Sequence, residues 1–195
     1  RWDQASVDRI GRLAEAFSLP VAVSFRRQGL VPSMHSHFVG DLGVGANPRL
    51  VEYAGQCDFI LLIGGRLSEL TSQGYTLLSI PCPTQTLVHV HPGSEEFGKT
   101  YRPEIAFNMS PHSFSCAVSL LRTAPDDARM SRVELGRRIY EDWSRRPGAV
   151  PGDFNFGQAL CALREELPDG AVICNGAGNY AIWVHRYLDY RRFGT

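Results

Sequence analysis

The sequence predicts an α/β fold: a parallel sheet flanked by helices in a Rossmann-like arrangement, followed by an incomplete second α/β unit. Three observations point there. Short apolar runs alternate with stretches that carry the three-and-four spacing of amphipathic helices. Glycine and proline clusters punctuate the boundaries between them. A segment of linker composition, Pro147-Gly-Ala-Val-Pro-Gly152, then divides a longer α/β stretch from a shorter one.

The elements follow in order. Val7, Ile10, Leu13, Ala14 and Phe17 mark an amphipathic helix with Ser6 placed to cap it. Leu19-Pro20 stops that helix, and Val21–Val23 reads as a short buried strand. Residues 25–47 hold Gly29, Gly40, Gly43 and Gly45 and read as one long loop, a shaped connector. Pro48 suits the first position of a helix to about Gln56. Strands are predicted at Asp58–Ile63, Thr86–Val90 and Ile105–Phe107, with a glycine- and proline-punctuated loop over 67–83 and a helix from about His112 to Leu121. After a polar turn at 123–127, an arginine-rich helix spans 129–146. Its Arg137, Arg138, Arg145 and Arg146, interleaved with acidic residues, read as a solvated face. The second unit starts with a helix from Asn155 to Leu167, then a strand at Ala171–Cys174, a glycine turn and a helix to Leu188. The division is therefore 1–123, a linker at 124–152, and 153–195.

Composition excludes several roles. The 195 residues hold 20 basic and 20 acidic side chains, a formal charge of zero, which removes the electrostatic basis for nucleic-acid or anionic-membrane binding. The longest apolar runs, such as Phe59–Ile63, reach about five residues against the roughly 20 needed to span a bilayer. Five scattered cysteines (Cys57, Cys82, Cys116, Cys161, Cys174) without a Cys-x-x-Cys pair argue for a reducing, cytoplasmic setting. Arg1-Trp2-Asp3 opens directly into a helical pattern, with no signal peptide expected. A lone strand and helix after the linker cannot bury their apolar faces without partners, so a fragment is expected, lacking material at its C-terminal end or at both ends.

Two turns carry candidate ligand chemistry. Asn175-Gly-Ala-Gly-Asn-Tyr180 leads a predicted strand into a helix and fits G-x-G-x-x-A, with Ala181 in last place. Glycines admit close approach of a ligand, and the unpaired amides of a helix start attract anions. A plain strand-to-helix turn would share this spacing. Gly64-Gly65-Arg66 falls at the carboxyl end of a predicted central strand, where open parallel sheets bind ligands and an arginine can grip a phosphate or carboxylate. A glycine turn with a solvated arginine is the plainer alternative. The pairs His35/His37 and His89/His91 lack a third metal ligand by spacing, so no metal site is expected. Cys57, Cys116, Cys161 and Cys174 lie in apolar stretches that favour packing over reactivity. No catalytic residue is assigned.

The ordered segments resemble the thiamine-diphosphate-dependent enzymes of the acetolactate synthase and benzoylformate decarboxylase group. Leu13-Ala-Glu-Ala-Phe-Ser-Leu-Pro-Val-Ala-Val-Ser24, Asp58-Phe-Ile-Leu-Leu-Ile-Gly-Gly-Arg66, Val88-His-Val-His-Pro-Gly-Ser-Glu-Glu-Phe-Gly-Lys99 and Tyr101-Arg-Pro-Glu104 resemble their central domain. Asp169 to Trp183 resembles the opening of their diphosphate-binding domain. The resemblance implies a central domain lacking its first strand and the start of a cofactor domain. It also implies a parent protein that uses thiamine diphosphate and magnesium on 2-oxo acids, by decarboxylation or carboligation, as a homo-oligomer (dimer or tetramer). Ala177, Gly178, Asn179 and Tyr180 match positions that touch the diphosphate, and Gly65 and Arg66 match positions near a nucleotide in members that hold one. FAD-binding members carry an acidic residue where His91 stands, which argues against FAD here. The activating glutamate and the magnesium motif are not in this sequence, so the chain alone is expected to be inactive. A free-standing nucleotide- or FAD-binding module is the alternative, and a purely structural connecting piece is a third.

Overall fold

The computed structural model describes residues 1–124 and 126–195; Pro125, within the predicted turn at 123–127, lies outside the described residues. Helix α1 (Gln4–Phe17) buries Val7, Ile10, Leu13 and Ala14, as the spacing requires. Its cap is Asp3, whose side chain accepts from the Ser6 amide, rather than Ser6. Strand β1 (Val21–Val23) follows. The predicted 25–47 loop is interrupted by a 3-10 turn (Gln28–Leu30) and by a strand, β2 (Phe38–Asp41), that pairs in parallel with β1. Helix α2 (Pro48–Gly55) starts with Pro48 in its first turn and Asn47 as its cap. Then come β3 (Phe59–Ile63), β4 (Thr86–Val90), β5 (Ile105–Phe107), α3 (Pro111–Val118), α4 (Asp127–Arg145), α5 (Phe156–Glu166) and α6 (Tyr180–Tyr187).

Every strand pairing is parallel among the described residues, in two sheets ordered β1-β2 and β3-β4-β5. Helix α1 spans both: Val7 packs with Val23 and Phe38, whereas Ile10 and Leu13 pack with Val90, Leu61 and Ile63. Trp2 contacts both clusters. The predicted strand at 171–174 forms no ladder. An unpaired strand is not stable by itself.

Helix α4 is a packed element of the core. Val133, Gly136, Ile139 and Tyr140 are buried, and Ile139 joins Val39, Leu50 and Tyr53 in one cluster between α4, β2 and α2. Tyr53 donates its hydroxyl to the Arg132 carbonyl at 2.8 Å. The predicted solvated arginine face holds for Arg138 and Arg146 only. Arg137 donates to the carbonyls of Ser33, His35 and Phe38, and Arg145 pairs with Asp189 at 2.9 Å.

Helices α5 and α6 share an apolar cluster of Leu160, Val184, Tyr187 and Leu188. Polar ties fasten it to the rest: buried Arg164 donates to the Ser144 and Tyr187 carbonyls, and Ser33 and Tyr190 exchange hydrogen bonds at 2.8 and 3.1 Å. No helix among the described residues is long and apolar enough to cross a membrane.

Candidate functional site

Strands β3 and β4 run in register, so their carboxyl ends open on one edge of the sheet. Gly64 continues the ladder by donating to the Val90 carbonyl at 2.8 Å. It adopts φ +67, and a side chain there would meet Pro111 and Trp2, so the position requires glycine on both counts. The turn this permits carries Gly65 and Arg66 over the sheet end. The Gly65 carbonyl lies 3.0 Å from His89 Nε2. A carbonyl only accepts, so Nε2 carries the proton. Burial pushes the His89 imidazole below its usual range, and the Gly65 carbonyl opposes this.

A cavity of about 320 Å³ opens here, walled by Leu62, Leu87, His89 and Tyr101, with Arg66 and Lys99 at its charged side. That is the lower end of the size range for small-molecule pockets. The Tyr101 hydroxyl is buried without a hydrogen-bond partner among the described residues. An orphaned buried hydroxyl is costly, which marks this wall as one that a bound group or water would satisfy. Arg66 is not free: its Nε stands 2.7 Å from Glu96 Oε2, while Lys99 Nζ holds the other oxygen at 2.7 Å. These two cations hold the Glu96 carboxyl below the usual carboxylate range, the Lys99 hydrogen bond most of all. Tyr101, Glu96 and Lys99 were not among the predicted site residues. Lys99 is the only lysine of the chain, but nothing in its spacing ties it to Arg66.

The second predicted site lies elsewhere. Ala177, Gly178, Asn179 and Tyr180 are all exposed, and none lines the cavity beside Arg66. The Tyr180 ring covers the turn: a side chain added at Gly176 would meet the Tyr180 hydroxyl at 2.7 Å, and one at Gly178 would meet the ring at 2.8 Å. The glycines thus make room for Tyr180. Asn179 starts α6 in helical conformation, with no side-chain capping bond. The turn presents its backbone to solvent, with residues 174–180 all exposed.

His89 and His91 share a face, with ring centroids 5.8 Å apart. His91 Nδ1 accepts from the Gly93 amide, and Asn108 holds the His91 carbonyl, so both groups serve the strand end. His35 faces Glu15 at 3.4 Å, and buried His37 is pushed below its usual range by desolvation. Among the described residues no group of three or more His, Cys, Asp or Glu side chains converges as a metal site. Cys116 and Cys174, predicted to pack, are exposed.

Residues 2–115 match the thiamine pyrophosphate enzyme central domain. The chloroplastic acetolactate synthase of Arabidopsis thaliana is 24% identical over 202 residues, covering 96% of this chain and 28% of that protein. The acetolactate synthase isozyme 1 large subunit of Escherichia coli is 21% identical, covering 90% and 30%. The sulfoacetaldehyde acetyltransferase of Rhodobacter capsulatus is 25% identical, covering 86% and 32%. The chain therefore spans less than a third of the length of each of these relatives.

Proposed function

The chain belongs to the thiamine pyrophosphate enzymes, and on that premise we propose that it is the central domain, with the start of the cofactor domain, of an acetolactate synthase-like enzyme that decarboxylates or ligates 2-oxo acids. The match over residues 2–115, laid on an all-parallel α/β framework, carries this reading. The arrangement of the two sheets supports it. Bridged by α1 and by Trp2, they fit a doubly wound order of β2-β1, one open position, then β3-β4-β5.

Thiamine diphosphate, when bound in such enzymes, takes up the carbanion charge that cleavage next to a carbonyl develops. The described residues supply at most one wall for it. The 177–180 turn is exposed and open to a diphosphate, and among the described residues no group of three or more His, Cys, Asp or Glu side chains accompanies it. The chain's own contribution is the rigid sheet, the Gly64-Gly65-Arg66 turn and the tie between α4 and α6. In this reading the 195-residue chain is expected to be inactive alone. Incubation with pyruvate, thiamine diphosphate and magnesium tests this: no carbon dioxide release is expected, and steady turnover overturns it.

The whole protein is a homo-oligomer in this reading, supported by exposed apolar side chains such as Leu120, Phe154 and Val172, 82%, 69% and 68% accessible. Five free cysteines support a cytoplasmic location.

The orphaned Tyr101 hydroxyl favours a second role for the same domain, as a binder of a compact ligand of nucleoside size in the 320 Å³ cavity. FAD fits poorly, because Glu96 already occupies the cations that a diphosphate needs and His91 stands where an acidic partner is wanted. A visible spectrum without flavin absorbance agrees with this; a bound flavin contradicts it.

A further inference from the structure

The cap of the first helix and an exposed thiol meet across one imidazole. Asp3 Oδ1 accepts from the Ser6 amide at 2.8 Å and from Ser6 Oγ at 2.6 Å, which fixes the carboxylate at the start of α1. Its other oxygen, Oδ2, lies 2.9 Å from His112 Nδ1 on α3. Ser6 and then His112 hold the Asp3 carboxyl at about 2, so it is ionised throughout the neutral range. An ionised carboxylate only accepts, so Nδ1 of the ring carries a proton and, in the neutral ring, Nε2 keeps its lone pair. Ser6 Oγ, 3.3 Å from Nδ1, gives its proton to Asp3 and offers the ring only a further acceptor, which leaves this tautomer in place. The free Nε2 stands 3.8 Å from Cys116 Sγ, one helical turn along α3.

Thiol, base and orienting carboxylate are thus in the order that activates a nucleophile. Cys116 is exposed, so a reagent can reach it. Cys82 and Cys174 are also exposed but hydrogen-bond to no histidine among the described residues.

We infer that Cys116 is a nucleophilic thiol and a site of covalent modification by small electrophiles, with His112 as its base and Asp3 as the residue that positions His112. This is independent of the proposed enzyme function. With iodoacetamide as probe, sulfur bonds to the methylene carbon as the carbon–iodine bond breaks. Iodide leaves with the bonding pair, and the thiol proton passes to His112 Nε2, where Asp3 balances the imidazolium charge.

The test is alkylation of the whole chain at neutral pH, with each cysteine-containing peptide quantified by mass spectrometry over time. Cys116 is expected to label at least about tenfold faster than Cys82 and Cys174, within the range a positioned general base supplies. His112→Gln is expected to bring Cys116 down to the rate of those two, and Asp3→Ser, which keeps a capping hydroxyl without the charge, to slow it. Equal rates for the three cysteines in the unaltered chain overturn the inference whatever the variants do. So does an unchanged Cys116 rate in a His112→Gln or Asp3→Ser chain whose circular dichroism matches the parent.

Discussion

Arg66 Nε lies 2.7 Å from Glu96 Oε2, an ion pair that closes the charged side of the cavity at the ends of β3 and β4. The guanidinium that could grip a phosphate is held by the protein's own carboxylate, with Lys99 on its other oxygen. Glu96→Gln would release both cations. ADP binding, followed by calorimetric titration, is expected to tighten by roughly tenfold in the variant, the scale of one charge-assisted hydrogen bond. Unchanged or weaker binding would show that Arg66 does not face the ligand.

The cap of α1 makes stability depend on acid. Asp3 is held at about 2 against a reference value of 3.8. A carboxylate with a depressed folded value stabilises the fold above its unfolded value, and that contribution disappears as pH falls through the folded one. The urea midpoint of the chain is therefore expected to drop between about pH 4 and pH 2, with a smaller drop in Asp3→Asn. Equal slopes would place the cap's energy elsewhere.

His89 acts in the same pH direction by a different route. Burial lowers its folded value below 6.5, so the unfolded chain takes up a proton first as pH falls. Stability present above that value is lost below it. Between about pH 7 and pH 5 the urea midpoint should fall less steeply in His89→Gln than in the parent. A steeper fall in the variant would contradict the burial.

The contact between α4 and β2 leaves no spare volume at Gly136. A methyl there would meet Val39 Cγ1 at 2.7 Å and the Tyr53 ring at 3.2 Å. Gly136→Ala is expected to cost about 1–3 kcal/mol by overpacking. Leu50→Ala, which empties the same cluster, should cost about 2–5 kcal/mol. Chemical denaturation reads both. A neutral Gly136→Ala would mean that the helix can move off the strand.

Arg164 joins α5 to α4 and α6 by donating to two buried carbonyls, those of Ser144 and Tyr187, at 3.1 Å each. Arg164→Leu leaves both carbonyls without this donor and is expected to cost about 2–4 kcal/mol. Limited proteolysis should then cut faster in the segment from Pro147 to Gly152. An unchanged cleavage rate would show that the remaining ties, among them the Arg145–Asp189 pair and the Ser33–Tyr190 hydrogen bonds, hold the joint.

The parts of the fold legible in the sequence were those whose signal is local. The spacing of Val7, Ile10, Leu13 and Ala14 is a helix face by itself, and Thr86–Val90 is apolar because β4 is covered on both faces. Strand β2 was hidden. Phe38-Val-Gly-Asp41 offers two apolar residues and a glycine at φ +120 inside a glycine-rich stretch, and only pairing with β1 makes it a strand. The 171–174 strand erred the other way, because β propensity without a neighbouring strand builds no ladder. At the candidate site, Gly64-Gly65-Arg66 is legible from its place after a strand, whereas Ala177–Tyr180, singled out for its glycines, lies outside that cavity. The Arg66–Glu96 pair, 30 residues apart in sequence, and the inward-facing Tyr101 hydroxyl depend on the return path of the chain after β4, which no local pattern encodes. Asp3 displaced Ser6 as the cap for a similar reason: Ser6 is buried beside α3 and donates where a cap must accept.

The product of the full reading frame, extended through both ends of these residues, purified and supplied with pyruvate, thiamine diphosphate and magnesium, is the most direct trial of the central claim. Carbon dioxide release that depends on thiamine diphosphate is predicted. A full-length product that binds no thiamine diphosphate and turns over no 2-oxo acid would contradict it.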